Sequence, residues 1–147
     1  MLTRRQLVAS GAALCAVAIR PARAQSQELQ AVVRAFAADA PIREGRVHID
    51  IAPLVENGNA VPIAITVDSP MSAADHVKAI GLFNERNPQR EVAVFHLTPR
   101  SGRASVSTRI RLATSQKLVA VARMSDGSHW SATVDVIVTL AGCIEGS

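Results

Sequence analysis

The chain has 147 residues, 48% of them hydrophobic but only 3% aromatic, with sixteen basic and twelve acidic side chains. That length suits one domain with a single closed core. The basic excess lies at the start: Arg4, Arg5, Arg20 and Arg23 occur in residues 1–24 with no acid, so residues 25–147 have a formal net charge of zero and lack the clustered positive footprint that nucleic-acid binding requires.

Residues 1–24 read as an export signal. A short basic start precedes an apolar stretch over residues 7–19, and Ala22, Arg23 and Ala24 form an A-x-A cleavage pattern before Gln25. The apolar stretch is too short, and too soon followed by Arg20, Pro21 and Arg23, to span a membrane. Thr3, Arg4, Arg5, Gln6, Leu7 and Val8 carry the twin arginine of the route that exports folded proteins. Leu14 does not supply the small residue that a lipid-anchoring signal places before its cysteine, so Cys15 is not expected to be acylated. The expected location is the periplasm, with no membrane attachment after processing.

Residues 25–140 are expected to form the folded domain. SQELQAVVRAFAADAPI spaces Leu29, Val32, Val33 and Phe36 for an amphipathic helix of about three turns, with Ser26 or Gln27 near its start and Pro41 beyond its end. The period then changes to two. RVHIDIAP alternates Val47, Ile49 and Ile51, and VPIAITVD alternates Val61, Ile63, Ile65 and Val67. Between them Asn57 and Gly58 suit a turn. HVKAIGLF and EVAVFHLT flank the turn-prone ERNPQR. ASVSTRIRLA puts Ala104, Val106, Thr108, Ile110 and Leu112 on one face. QKLVAVARM and HWSATVDVIVTL follow, joined by Ser125, Asp126, Gly127 and Ser128, a hairpin signal. Seven short strands with regular turns predict an all-β, immunoglobulin-like antiparallel β-sandwich with one N-terminal helix and a flexible C-terminal tail over residues 141–147. Trp130 shares a face with Ala132, Val134, Val136 and Val138, which predicts core packing.

The chemical inventory excludes more than it offers. His48, His76, His96 and His129 fall on four different predicted strands at no recognisable ligand spacing, each reading as a strand residue on a partly solvated face. A blue-copper site would need a ligand His, and usually Met, closely after its Cys. Cys143 is followed only by Ile144, Glu145, Gly146 and Ser147. No metal and no cofactor are therefore expected. Nor does Cys143 suit a nucleophilic enzyme, which must hold its thiol rigidly against a base and an oxyanion pocket. Gly142 and Gly146 leave the backbone around it free. Loss of Cys15 with the signal leaves Cys143 as the only cysteine, free for intermolecular pairing or for reaction. Two readings stay open on these grounds: a covalent carrier that is not itself an enzyme, and a β-sandwich binding module whose cysteine makes a structural intermolecular disulfide.

VENGNAVPIAITVDSPMS (residues 55–72), FHLTP (residues 95–99), STRIRLATSQKLVAVARMSDGSHW (residues 107–130) and the Gly142–Cys143 pair near the terminus resemble the SoxY family, the sulfur-carrying subunits of the periplasmic sulfur-oxidising system. The resemblance extends over essentially the whole chain. It implies an immunoglobulin-like subunit that pairs with a small SoxZ-like β-sandwich and carries thiosulfate-derived sulfur on a C-terminal cysteine, here Cys143. A haem protein would load the thiol, a hydrolase would release the terminal sulfonate as sulfate, and a dehydrogenase could oxidise the remaining sulfane sulfur. The carrier arm would comprise Ala141, Gly142, Ile144, Glu145 and Gly146 around Cys143. The family's usual tail is GGCGG. Ala141, Ile144 and Glu145 add side chains to that pattern, which makes the arm bulkier for a partner channel shaped around glycine.

Overall fold

Alternation of β-branched residues builds the smaller of two sheets. In the computed structural model residues 22–139 are described. They form α1 (Ala22–Phe36), β1 (Ile42–Glu44), β2 (Val47–Asp50), β3 (Leu54–Val55), β4 (Val61–Val67), β5 (Val77–Asn84), β6 (Glu91–His96), β7 (Ser105–Ile110), β8 (Gln116–Met124) and β9 (His129–Val138). β4 lies between β2 and β7 in a three-stranded antiparallel sheet. Val61, Ile63, Ile65 and Val67 all turn inward from it and are buried, as their period of two requires.

The larger sheet runs β1-β9-β8-β5-β6, with β3 also paired to β9. Its central strands are buried on both faces, because the three-stranded sheet covers one side and α1 the other. Ile80, Leu82, Leu118, Ala120 and Ala122 enter the core between the sheets. Phe83 and Val121 point the other way and meet Leu29, with Val32, Val33 and Phe36 of α1 packed around them. The sandwich is therefore three layers deep over β5 and β8. Helix α1 ends where Ala38 and Asp39 take positive φ values of 50° and 59°. Arg123 caps it, donating to the Phe36 carbonyl at 2.6 Å while its guanidinium lies 4.7 Å from the Phe36 ring centre.

The seven expected strands are all present, and two short ones join them. β1 and β3 are only three and two residues long, too brief to show any alternation. Both run parallel to β9, so the sandwich is not wholly antiparallel. They share one edge of β9: β1 pairs with His129, Trp130 and Ser131, and β3 with Ile137 and Val138. An edge that would otherwise offer free backbone groups is thus covered in two pieces. The hairpin over residues 125–128 forms as expected, with Gly127 at φ 84° and the Asp126 carboxylate accepting from the Ser128 backbone.

Three local expectations need correction. Trp130 does contact the core, but it is half-buried at its rim, with the guanidinium carbons of Arg43 and Arg46 at 5.7 Å and 5.6 Å from the ring. Thr108 shares its strand face with Val106 and Ile110 but is exposed. The histidines also differ from one another. His48 and His96 are exposed on strands, whereas His76 lies in the loop before β5. His129 is only 6% exposed, and among the described residues neither ring nitrogen has a hydrogen-bond partner.

Two stability predictions follow from this packing. A Cβ at Gly81 would stand 2.7 Å from Cε2 and 2.8 Å from Cζ of Phe83, and 3.1 Å from Phe36. Phe83 is completely buried and cannot yield, so Gly81→Val should cost about 1–3 kcal/mol, read as a fall in urea midpoint, with the α1 layer loosening first in hydrogen exchange. His129 is held below its usual value of 6.5, first by burial and then by Arg123, with the Gly127 backbone pulling weakly the other way. The unfolded chain takes up the proton first. The stability contribution is therefore complete above about 6.5 and is lost as pH falls from there to the depressed folded value. Denaturation at pH 7.5 and pH 5 should show this loss in the parent, and His129→Leu should reduce it.

Candidate functional site at the end of the last strand

The final described strand delivers the chain to a well-held point. Backbone pairing between β8 and β9 reaches Gln116 and Val136. Beyond it a side chain takes over: Ser115 Oγ accepts from Val138 N at 2.8 Å and donates to Val138 O at 3.4 Å. On the opposite edge the Ile137 amide donates to Pro53 O at 2.9 Å and the Thr139 amide to Val55 O at 3.0 Å. The Thr139 hydroxyl donates to the carbonyls of Val55 and Glu56. Residues 138 and 139 are thus gripped from both sides immediately before the segment that contains Cys143. Cys143 itself, with Ala141, Gly142, Ile144, Glu145 and Gly146, lies outside the described residues, as do residues 1–21 of the expected signal.

The surroundings of this exit point come from distant parts of the chain. The ERNPQR turn is a polar knot: Asn87 Oδ1 accepts from Ala113 N and from Gln116 Nε2, at 3.0 Å and 2.7 Å. Gln116 in turn accepts from Arg86 N, and Asn87 donates to Arg111 O. This knot fixes the 111–115 loop, and so places Ser115. On the β3 side the Asn57–Gly58 turn forms as expected. Asn57 Oδ1 accepts from Asn59 N, and Gly58 O accepts from Leu112 N.

Beside the exit lies an open groove of about 680 Å³. It is lined by Asp50 from β2, Leu54 and Val55 from β3, Pro62 and Ala64 from β4, and Arg109 from β7, among others. Leu54 is 57% exposed, and its register partner Ile137 58%. Among the described residues Arg109 makes no hydrogen bond or ion pair. Neither the groove nor the role of Ser115 is legible in the sequence, because both depend on strand neighbours dozens of residues apart. Among the described residues no three His, Cys, Asp or Glu side chains are grouped to hold a metal ion, and no helix is long and apolar enough to cross a membrane.

A β-sandwich with one covering helix, whose last strand is clamped just before a cysteine-bearing segment, has the architecture of a sulfur-carrier subunit. The family model described as sulfur oxidation protein SoxY matches residues 16–143, and the chain belongs to that family. The sulfur carrier protein SoxY from Chlorobium limicola f. thiosulfatophilum has a similar structure, with 28% identity, a TM-score of 0.66, and coverage of 78% of this chain and 94% of that one. Other solved structures share the fold alone. The superoxide reductase (neelaredoxin) of Ignicoccus hospitalis aligns at 19% identity and TM-score 0.57, over 64% of this chain and 80% of its own. The superoxide reductase of Nanoarchaeum equitans aligns at 15% and 0.56, over 65% and 100%. No curated protein matches the sequence.

If Ser115 holds the last turn of β9, Ser115→Ala should remove about 1 kcal/mol. The loss should be local. Amide exchange at Val138 and Thr139 should accelerate while the amides of Val119 and Val121 keep their protection, and equal acceleration throughout would show that Ser115 serves the whole fold instead.

Proposed function

We propose that this chain is a covalent, non-catalytic carrier of thiosulfate-derived sulfur, with Cys143 as the attachment point. The observation that carries the reading is that the family match runs through the sandwich and ends on Cys143. The clamp on residues 138 and 139 supports it, since a carrier thiol must be tethered to a fixed body yet presented to enzymes beyond it. The neutral charge balance of residues 25–147 suits association with another subunit, and the partner by family analogy is a SoxZ-like β-sandwich. The twin-arginine signature over residues 3–8 supports a periplasmic location for the finished complex.

The chemistry is balanced by the partners. The Cys143 thiol and thiosulfate combine to give Cys143–S–S–SO3⁻, releasing one proton and two electrons, which a haem-bearing partner accepts. Water then cleaves the sulfur–sulfonate bond in a hydrolase, giving sulfate, two protons and the Cys143 persulfide anion. The carrier's own contribution is to hold the sulfur and to bring it to each enzyme in turn. Ile144 and Glu145 make the segment bulkier than a glycine-flanked cysteine, which narrows the set of channels that admit it.

Cys143→Ser should abolish thiosulfate oxidation in the reconstituted system while leaving thermal stability unchanged, because the residue lies beyond the last strand. Intact mass of the parent protein from thiosulfate-grown cells should show the added sulfur species on Cys143. A fully active serine variant would rule out the carrier role.

A further inference from the structure

Glu85 is a buried carboxylate that the carrier role does not use. It follows directly on β5 and is only 8% exposed. Its Oε1 accepts from the Ser26 hydroxyl of α1 at 2.8 Å, and its Oε2 accepts from the Lys117 amide at 3.3 Å. The cations beside it are poorly placed. Arg86 Nε stands 3.9 Å from Oε2, and the Lys117 ammonium is engaged by Asp135 at 2.8 Å. A carboxylate withdrawn from water in this way is costly unless a positive charge meets it closely.

Ser26 lies two residues past Ala24, where the A-x-A cleavage pattern ends. Helix α1 begins at Ala22, so Ala22, Arg23 and Ala24 belong to its first turn. That turn is poorly made for a helix start. It has no acid, and Arg23 puts a positive charge where the helix dipole is already positive. Removal of residues 1–24 corrects this, because the helix then opens with Gln25, Ser26, Gln27 and Glu28 and has an acid in its first turn. It also creates a new charge. Hydrolysis of the Ala24–Gln25 bond consumes one water, leaving a carboxylate on Ala24 and a free α-ammonium on Gln25. Consecutive Cα atoms stand about 3.8 Å apart, so that ammonium arises one residue from the hydroxyl that already touches Glu85.

We propose that Glu85 receives the α-ammonium that processing creates at Gln25, so that cleavage of the export signal completes the docking of α1 on the sheet. This goes beyond the carrier reading and rests instead on the export-signal reading of residues 1–24. In the full chain the Gln25 nitrogen is an uncharged amide, and Ser26 offers Glu85 only a hydroxyl. After cleavage the two are joined by a charge-assisted contact, roughly twice as strong as a neutral hydrogen bond. The site of the cut suits this order of events. Ala22 and Arg23 are exposed and Ala24 is half-buried, so the bond lies within reach of a protease on the folded body that the twin-arginine route delivers.

The test compares processed protein recovered from the periplasm of an exporting host with the uncut full chain, kept in the cytoplasm by Arg4→Lys and Arg5→Lys. Intact mass of the processed protein should match a start at Gln25. A terminal glutamine whose amine is neutral and mobile closes on its own side chain with loss of ammonia, and intact mass follows that loss over time. Pairing with Glu85 keeps the amine protonated and turned away. Glu85→Gln, which keeps the size and one accepting oxygen, should therefore speed ring closure severalfold. Amide exchange over residues 26–29 should also rise severalfold on Glu85→Gln in the processed protein and change little in the uncut chain. A parent recovered already cyclised, a start at another residue, equal closure rates in parent and variant, or equal exchange responses with and without residues 1–24 would each overturn the lock. None of these results bears on sulfur at Cys143, so the carrier reading would stand, whereas a chain left uncut in the periplasm would sink the export-signal reading together with the lock.

Discussion

The missing side chain at Gly81 is the constraint on which the layered body depends. It leaves room for Phe83 to lie across the central strand and meet Phe36 edge-on, with ring centres 5.5 Å apart. Burying such a ring is worth about 1.5–3 kcal/mol, and the aromatic pair adds about 0.5–1.5 kcal/mol. With α1 seated, β5 and β8 can be apolar on both faces, which is why HVKAIGLF is buried almost throughout. Arg123 at its C-terminal end and the Glu28–Arg90 contact near its middle hold the helix to the body.

A body fixed in this way can release its chain at a defined point. β9 is the longest strand, and it is held by β8 on one side and by β1 and β3 on the other. The last grip comes from the Ser115 hydroxyl and from the carbonyls of Pro53, Val55 and Glu56 in and around β3. These contacts fix residues 137–139 to the body, which suits the proposed carrier role, since a tethered thiol needs a firm anchor.

In the carrier role proposed above, the thiol needs little chemistry of its own, because activation belongs to the enzymes that it visits. The physical requirement on the body in that role is geometric: it must present one fixed point from which the thiol is tethered.

Much of this was legible before any coordinates. The alternation in β4 fixed both its burial and its register class, and the helical spacing of Leu29, Val32, Val33 and Phe36 identified the face that packs. The cysteine near the chain's end, together with the family resemblance, pointed to Cys143 as the proposed carrier residue. What local pattern could not show was the parallel pairing of β1 and β3, the burial of His129, the rim position of Trp130, or the joint between Ser115 and Val138. Each depends on which strand becomes a neighbour, and two- or three-residue strands carry no periodic signal of their own. The sequence by itself determined the helix, the seven longer strands and their apolar faces, because those follow from side-chain chemistry repeated at short range. Only the tertiary structure decided how the end of β9 is held and that Arg109 lines the neighbouring groove, because both arise from contacts between residues 50–64, 107–115 and 138–139, which chain order keeps far apart.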